Sequence, residues 1–316
     1  MRAFITGVTG FAGSHLAEYL LSYGDLVLGC SHNARWPAGL PAAHPRGVSL
    51  FAWDLADGVT VEVQQHVQAF QPEVVFHLAA ISVPWDCGEA EPTPRAIHVN
   101  VDGTSAVVEL CRALDPPPKL LFASSCYVYA PVSPTAAVVH EDAPLGPTGA
   151  YGKTKLAAEQ RVLEAARMEG IPSVVARSFQ HTGPRQSERM ILPDWSRQVV
   201  RPGDKPIRAI CLDTYLDLSD VRDVVRAYRA LALDGIAGTV YNVGSGVSRR
   251  SGDLLETMQR CAGSRHQVIE REPGIRQHPI ADISRLQQAT GWKPEIPLEQ
   301  TIIDTLNYWR EQGRTA

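Results

Sequence analysis

Tyr151 and Lys155 stand four residues apart in Tyr151-Gly152-Lys153-Thr154-Lys155. On a helix that spacing puts both side chains on one face. A phenol titrates at about 10 and is a poor acid or base at neutral pH, but a neighbouring ammonium favours the phenolate and brings it towards a useful range. The same ammonium can hold the ribose hydroxyls of a nicotinamide nucleotide. Upstream, Ser124-Ser125-Cys126-Tyr127 closes an apolar run. There the Ser125 hydroxyl would share a substrate carbonyl oxygen with Tyr151. The chemistry these three allow is proton exchange at an oxygen whose carbon gains or loses hydride.

A second set of residues suits a phosphate. Gly7, Gly10 and Gly13 follow the run Ala3-Phe4-Ile5 and precede a helical stretch with Leu16, Leu20 and Leu21 on one face. Glycines there permit a tight turn and a close backbone approach, and the helix start offers free N–H groups and partial positive charge to a pyrophosphate. Phe11 and Ala12 lie inside the same loop and count as cofactor contacts. After the second apolar run the chain reads Cys30-Ser31-His32-Asn33-Ala34-Arg35. A carboxylate there would bond the ribose of NAD. None is present, and Ser31, Asn33 and Arg35 suit a 2′-phosphate, so NADP is the expected cofactor and NAD the alternative. Asp54 and Leu55, after the third run, are candidates for the adenine end; Asp54 could equally cap the next turn.

These groups need a scaffold, and the apolar runs supply it. Strands are expected at 3–5, 26–30, 48–52, 74–78, 119–123, 173–177 and 239–243, with helices between most of them, such as 104–114 and 151–169. Continuous apolar strands separated by helices indicate an α/β fold, a doubly wound parallel sheet of Rossmann type covered on both faces. After Phe179 glycine, proline and charge become denser. The expected division is a dinucleotide-binding domain over 1–178, with a return of the chain near 212–245, and a smaller substrate-binding lobe over most of 179–316.

Composition narrows the function classes. The 316 residues are 44 % hydrophobic and 20 % charged, enough for a large core. Thirty Lys and Arg against 34 Asp and Glu give a net charge of −4, which argues against a nucleic-acid partner. No apolar run approaches a membrane span of ~18 residues. The chain opens on Met1-Arg2-Ala3-Phe4-Ile5, already strand-like, so no secretory signal is expected. Its six scattered cysteines lack metal or redox spacing. A reduced, cytoplasmic protein without a metal is expected.

Taken together, the motifs resemble the extended short-chain dehydrogenase/reductases that act on nucleotide sugars, over essentially the whole chain. Thr6–Gly13 resembles their Thr-Gly-x-x-Gly-x-x-Gly loop, and Ser125, Tyr151 and Lys155 match their catalytic triad. The resemblance implies that Leu78, Ala79, Ala80, Asn100, Ser124 and His181 lie at the cofactor, His181 as a hydrogen-bonder. Phe179 with His181-Thr182-Gly183-Pro184, Asp220–Tyr228, Tyr241–Gly246, Thr290–Pro294 and Thr305–Arg310 are most similar to the subgroup reducing GDP-4-dehydro-6-deoxy-mannose. Gln180 stands where that subgroup often has an asparagine, and Leu216 where it has an arginine. Dehydratases of the group carry a carboxylate just after the serine, where this chain has Cys126 and Tyr127.

The resemblance implies NADPH-dependent reduction of a 4-keto-6-deoxy sugar carried on a nucleotide diphosphate. Tyr151 would give the proton, Ser125 would bond the oxygen and Lys155 would hold the ribose. Candidate substrate contacts are Ser82, Ser125, Cys126, Tyr127 and Gln180, with Arg185, Arg208 and Arg276 as cations for the diphosphate. The alternative is a nucleotide-sugar 4-epimerase keeping NAD bound; a dehydratase and a non-catalytic cofactor sensor rank behind it. Relatives also suggest a homodimer through the helices bearing Asn100 and Tyr151.

Overall fold

The computed structural model describes residues 1–37 and 47–315. Strands β1 (Arg2–Thr6), β2 (Leu26–Ser31), β3 (Val48–Ala52), β4 (Val74–His77) and β5 (Lys119–Ser125) belong to one sheet. The two-residue β6 (Val138–Val139) lies apart, and β7 (Ser173–Ser178) and β11 (Thr239–Val243) complete the sheet. Its seven strands run in the order β11-β7-β5-β4-β1-β2-β3, all parallel. The crossovers are α1 (Phe11–Ser22), α2 (Val61–Phe70), α3 (Pro94–Ile97) running on into α4 (Gly103–Arg112), and α5 (Ala150–Met168). A π-helical turn, His98–Asp102, separates α3 from α4.

Alternation along the strands explains the two covered faces, since successive side chains point oppositely. Ile5, Phe76, Leu121 and Val174 enter one core with Leu16 and Leu20 of α1. Their neighbours Phe4, Val75, Leu120 and Val175 enter the other with Val107, Leu110 and Val162. All of these residues are essentially solvent-free, which is why the strands read as unbroken apolar runs.

The chain leaves the sheet after Ser178. Strand β8 (Gln180–Thr182) joins β10 (Thr214–Asp220), which also pairs with β12 (Ser248–Arg250) and β14 (Arg276–Gln277). Two further parallel pairs, β9 (Ile207–Ala209) with β13 (Val268–Glu270) and β15 (Ile280–Ala281) with β6, complete the strands. Helices α6 (Ile191–Val200), α8 (Ser251–Ala262) and α10 (Leu298–Thr315) enclose a separate lobe core of Leu192, Trp195, Leu218, Leu255, Met258 and Ile302. Helix α7 (Val221–Asp234) and β11 go back to the main sheet, while β10, inside the return read from the sequence, stays in the lobe. The return also reaches further, because Leu286 of α9 (Ser284–Thr290) and Trp292 enter the core of the first face. No helix among the described residues is long and apolar enough to cross a membrane, and all six cysteines are free thiols.

A buried polar network fixes the sheet against α5. Arg177 on β7 donates through Nε and Nη2 to Glu159, with Nη2 to Oε1 at 2.6 Å. Its Nη1 donates to the Tyr129 hydroxyl and the Glu141 carbonyl, and the Tyr129 hydroxyl donates to Asn242 on β11. Arg177 is 3 % and Glu159 1 % exposed, so removing one partner strands a charge in the core. Replacing Arg177 with Met is expected to cost about 3–5 kcal/mol in urea unfolding. A loss below about 1 kcal/mol would show that the pair does not hold these elements.

Candidate active site

From β1 the chain turns to β2 on one side, while β4 pairs on the other. That reversal of strand order opens a crevice at the strand carboxyl ends, where doubly wound sheets carry ligands. A cavity of about 780 Å³ lies there and runs on to the lobe residues Leu192, Leu216 and Leu254. Small-ligand sites span roughly 300–1,000 Å³.

One end is built by the glycine loop. Gly7 has φ +71° and its N–H donates to the Cys30 carbonyl at 2.9 Å. A Cβ on Gly7 would come within 2.8 Å of the Ala79 Cα, so only glycine lets β1 and the β4 loop close together. The Thr6 hydroxyl fixes that approach through His77 Nδ1 at 2.7 Å and the Ala79 N–H. His77 bonds Thr104 on its other side, and burial lowers its pKa to about 3, so the ring is neutral. Helix α1 starts after Gly10 with no side chain capping its N–H groups. The residues that carry them line the cavity, a setting that favours an anion. Gly7, Gly10, Phe11, Ala12 and Gly13 line this end, with Leu78, Ala79 and Ala80 on the facing wall.

The far end lies at the tip of β2. Ser31, Asp54 and Leu55 border the cavity. The Ser31 hydroxyl is buried and has no hydrogen-bond partner among the described residues, an unpaid cost unless a ligand meets it. Asp54 accepts from the Ala56 N–H at 3.1 Å, the capping role, while still facing the cavity. Asn33 and Arg35 are exposed just beyond the cavity lining, on a turn where Ala34 has φ +51° and Arg35 N–H donates to Asn33 Oδ1.

Between these ends, Ser125, Tyr151 and Lys155 come to one wall. Ser125 ends β5 and accepts the Tyr127 N–H at 3.3 Å. Tyr151 and Lys155 occupy the first turns of α5. Lys155 Nζ lies 4.2 Å from the centre of the Phe122 ring and is 4 % exposed. Burial pushes its ammonium down to about 7, opposed chiefly by Glu159 one turn along α5. The expected depression of the tyrosine is not what the ligand-free chain shows. Burial raises the Tyr151 phenol above its ordinary value, with only the Ser125 hydroxyl pulling it back. Desolvation of the phenolate sets the direction here.

Several expected contacts point elsewhere. Asn100 does not border the cavity. Its amide grips Ile81 through both backbone groups and donates to Thr154 at 3.0 Å, tying the cavity wall to α5. Ser124 borders the cavity, but its hydroxyl donates to Glu159 at 2.6 Å. Arg208 and Arg276 lie outside the cavity, both exposed, Arg276 on Glu272. Arg185 lines it at φ +75°, with its guanidinium on His15 and Glu18. Burial, with Arg185 second, lowers His15 to about 4. His181 lines the cavity, stacks on Phe11 at 5.9 Å and bonds the Phe179 carbonyl through Nδ1. Ser82, Cys126, Tyr127 and Gln180 also line it, with the Gln180 amide beside the Tyr127 hydroxyl.

The sequence reading missed Arg189, Met190 and Ile191 ahead of and at the start of α6, and Trp85 and Arg95 on the opposite side. Trp85, 58 % exposed, is the kind of residue that marks a binding surface, yet nothing in its sequence neighbourhood says so.

Comparison with known proteins agrees with this architecture. Residues 3–244 match the NAD dependent epimerase/dehydratase family. The chain belongs to that family. It is an NAD(P)-dependent enzyme of the extended short-chain dehydrogenase/reductase type. It is 31 % identical to a GDP-6-deoxy-D-mannose reductase of Pseudomonas aeruginosa, over 99 % of this chain and 98 % of that one. It is also 27 % identical to a UDP-glucose 4-epimerase of Mycolicibacterium smegmatis, over 99 % and 100 %. Among solved structures, the P. aeruginosa RMD complexed with NADPH superposes with a TM-score of 0.82 at 27 % identity, covering 98 % and 99 % of the two chains. A Thermus thermophilus UDP-glucose 4-epimerase with NAD gives 0.84 at 26 %, covering 98 % and 99 %. The nucleotide-sugar reductases, epimerases and dehydratases are thus its class.

The Lys155 shift has a sign that can be checked. Below about pH 7 folded and unfolded chains both carry the proton, and folding buries a charge; between about 7 and 10.5 the folded chain releases it. Lys155→Met is therefore expected to stabilise the ligand-free protein, by an order of a few kcal/mol below pH ~7. The gain should shrink as pH rises towards 10.5. Urea melts at low and high pH measure it, and a gain that grows with pH would contradict the burial argument.

Proposed function

We propose that the chain is an NADPH-dependent reductase of a nucleotide-linked 4-keto-6-deoxy sugar, of the GDP-4-dehydro-6-deoxy-D-mannose reductase kind. The observation that carries this reading is the tip of β2. A buried Ser31 hydroxyl, unpartnered among the described residues, is followed by His32-Asn33-Ala34-Arg35 with no carboxylate, a setting for a phosphate rather than for a bare ribose diol. The close glycine approach and the uncapped start of α1 fit a pyrophosphate. Gly7, Gly10–Gly13, Ser31, Arg35, Leu78–Ala80 and Lys155 would hold the dinucleotide, which supplies the hydride.

The chain's own residues would manage the oxygen. Tyr151 keeps its proton at neutral pH because burial disfavours the phenolate, which suits a donor to a carbonyl oxygen acquiring negative charge. Ser125 would donate to the same oxygen, and Lys155 would add positive charge and hold ribose hydroxyls. Asn100 would keep the 79–82 segment in place from behind. A proton donor at rest suits reduction better than epimerisation, which begins by removing a proton from a sugar hydroxyl. Cys126 and Tyr127 offer no carboxylate for proton abstraction beside the keto group, which disfavours dehydration.

A hydride balance decides between reductase and epimerase. Oxidation of one NADPH per sugar is expected; turnover with no net change in cofactor would establish the epimerase. Tyr151→Phe should lower kcat by about 10²-fold or more with little change in cofactor affinity. A near-normal rate would remove Tyr151 from the proton-donor role. Arg35→Ala should weaken NADPH about tenfold and leave NADH nearly unchanged, by fluorescence titration. Equal weakening of both would remove the 2′-phosphate argument.

A further inference from the structure

A second cavity, of about 230 Å³, lies where the lobe meets the sheet domain. Its wall is built by the end of β10, the start of α7, the turn between β11 and β12, and the 294–298 segment that leads into α10. Leu218 on β10 borders this space and the catalytic cavity alike, so the two share a wall. Nothing in the proposed reaction uses the second space. We propose that it binds a small oxyanion, a phosphate or a carboxylate, with Arg249 as its cation and the Ser219 hydroxyl as a donor.

Two unmet donors carry this assignment. Ser219 borders the cavity and is 4 % exposed, yet its hydroxyl has no hydrogen-bond partner among the described residues. A buried hydroxyl left unpaired costs free energy that a bound acceptor recovers. Arg249 on β12 borders the same cavity, and its Nε is likewise buried without a partner among the described residues. Its neighbour Arg250 is held by Asp213 and Asp253. Arg249 has no such carboxylate among the described residues. A half-buried guanidinium that lacks its own anion is a ready partner for one that arrives from solution.

The carboxylates that border the space do not fill this role, because each is already met. Asp220 accepts from Arg222 on both oxygens and from the Thr301 hydroxyl. Asp223 accepts from Arg226 on Oδ1 and from the Glu295 and Ile296 N–H groups on Oδ2. Glu295 pairs with Arg226. Donors are therefore left in excess over acceptors. The start of α10 adds to that excess: Pro297 and Leu298 line the cavity, and a proline side chain cannot cap the free N–H groups of the first turn. The volume is below the roughly 300–1,000 Å³ of cofactor sites, so a compact ion or a short organic acid fits it. Val247, Pro294 and Ile296 supply an apolar side for an organic body.

The test is calorimetric titration of the full chain, saturated with NADPH, with inorganic phosphate, phenyl phosphate and benzoate at constant ionic strength. At least one of the three should bind saturably, and the preference among them tells which oxyanion the site takes. Arg249→Met should weaken that probe about tenfold or more, and Ser219→Ala several-fold. Arg189→Ala, which alters the catalytic cavity, should leave the probe's affinity unchanged. Unchanged NADPH affinity in each variant confirms an intact fold. Should Arg249→Met not fold, Val247→Trp serves in its place, since Val247 borders the cavity, is 45 % exposed, and a larger side chain there should exclude the probe. Failure of all three probes to saturate the wild type would overturn the proposal. So would an affinity unaltered in Arg249→Met or in Ser219→Ala, or a loss that appears in Arg189→Ala instead, which would put the anion in the catalytic cavity.

Discussion

A lysine ammonium pressed against an aromatic ring, with no hydrogen-bond acceptor among the described residues, is the constraint around which this molecule is arranged. Lys155 sits over Phe122 at the wall of a deep crevice. Such a charge is costly wherever water is excluded. Glu159, one turn further along α5, is the largest influence that keeps it positive. Glu159 is in turn anchored by Arg177 and by the Ser124 hydroxyl. One buried carboxylate thus ties the lysine's helix to the strand that carries Ser125 and to the strand beside it. Rigidity and charge at this wall have the same source.

The glycine-loop end is held by a different device. Here the decisive contact is steric: the backbone of Gly7 against Ala79, with Thr6, His77 and Thr104 linking β1, β4 and α4 behind it. Asn100 does the same work for the next residues of that wall by pairing with Ile81 as another strand would. Neither His77 nor Asn100 borders the crevice, yet both decide where its wall stands. On the lobe side, arginines reach across from the segment before α6, Arg185 to Glu18 and Arg189 to Asp86.

The sequence by itself determined the sheet, the glycine turn and the helix face shared by Tyr151 and Lys155. Each rests on local rules: strand alternation, the backbone freedom of glycine, and the period of a helix. The missing carboxylate after β2 was legible for the same reason, since a strand and its following loop are contiguous. Partners joined across the fold were not legible. Arg208 and Arg276 looked as suitable for a diphosphate as Arg185, which alone of the three borders the cavity, because arginine has no local pattern that says which way it faces. Asn100 and Ser124 were read towards the cofactor, and packing turned Asn100 to a neighbouring backbone and the Ser124 hydroxyl to a buried carboxylate. Tyr151 was expected to lie low in pKa from its spacing to Lys155; burial, which no spacing encodes, raised it. Which charges are solvated and which are enclosed is a property of the assembled layers, and only the tertiary structure decided it.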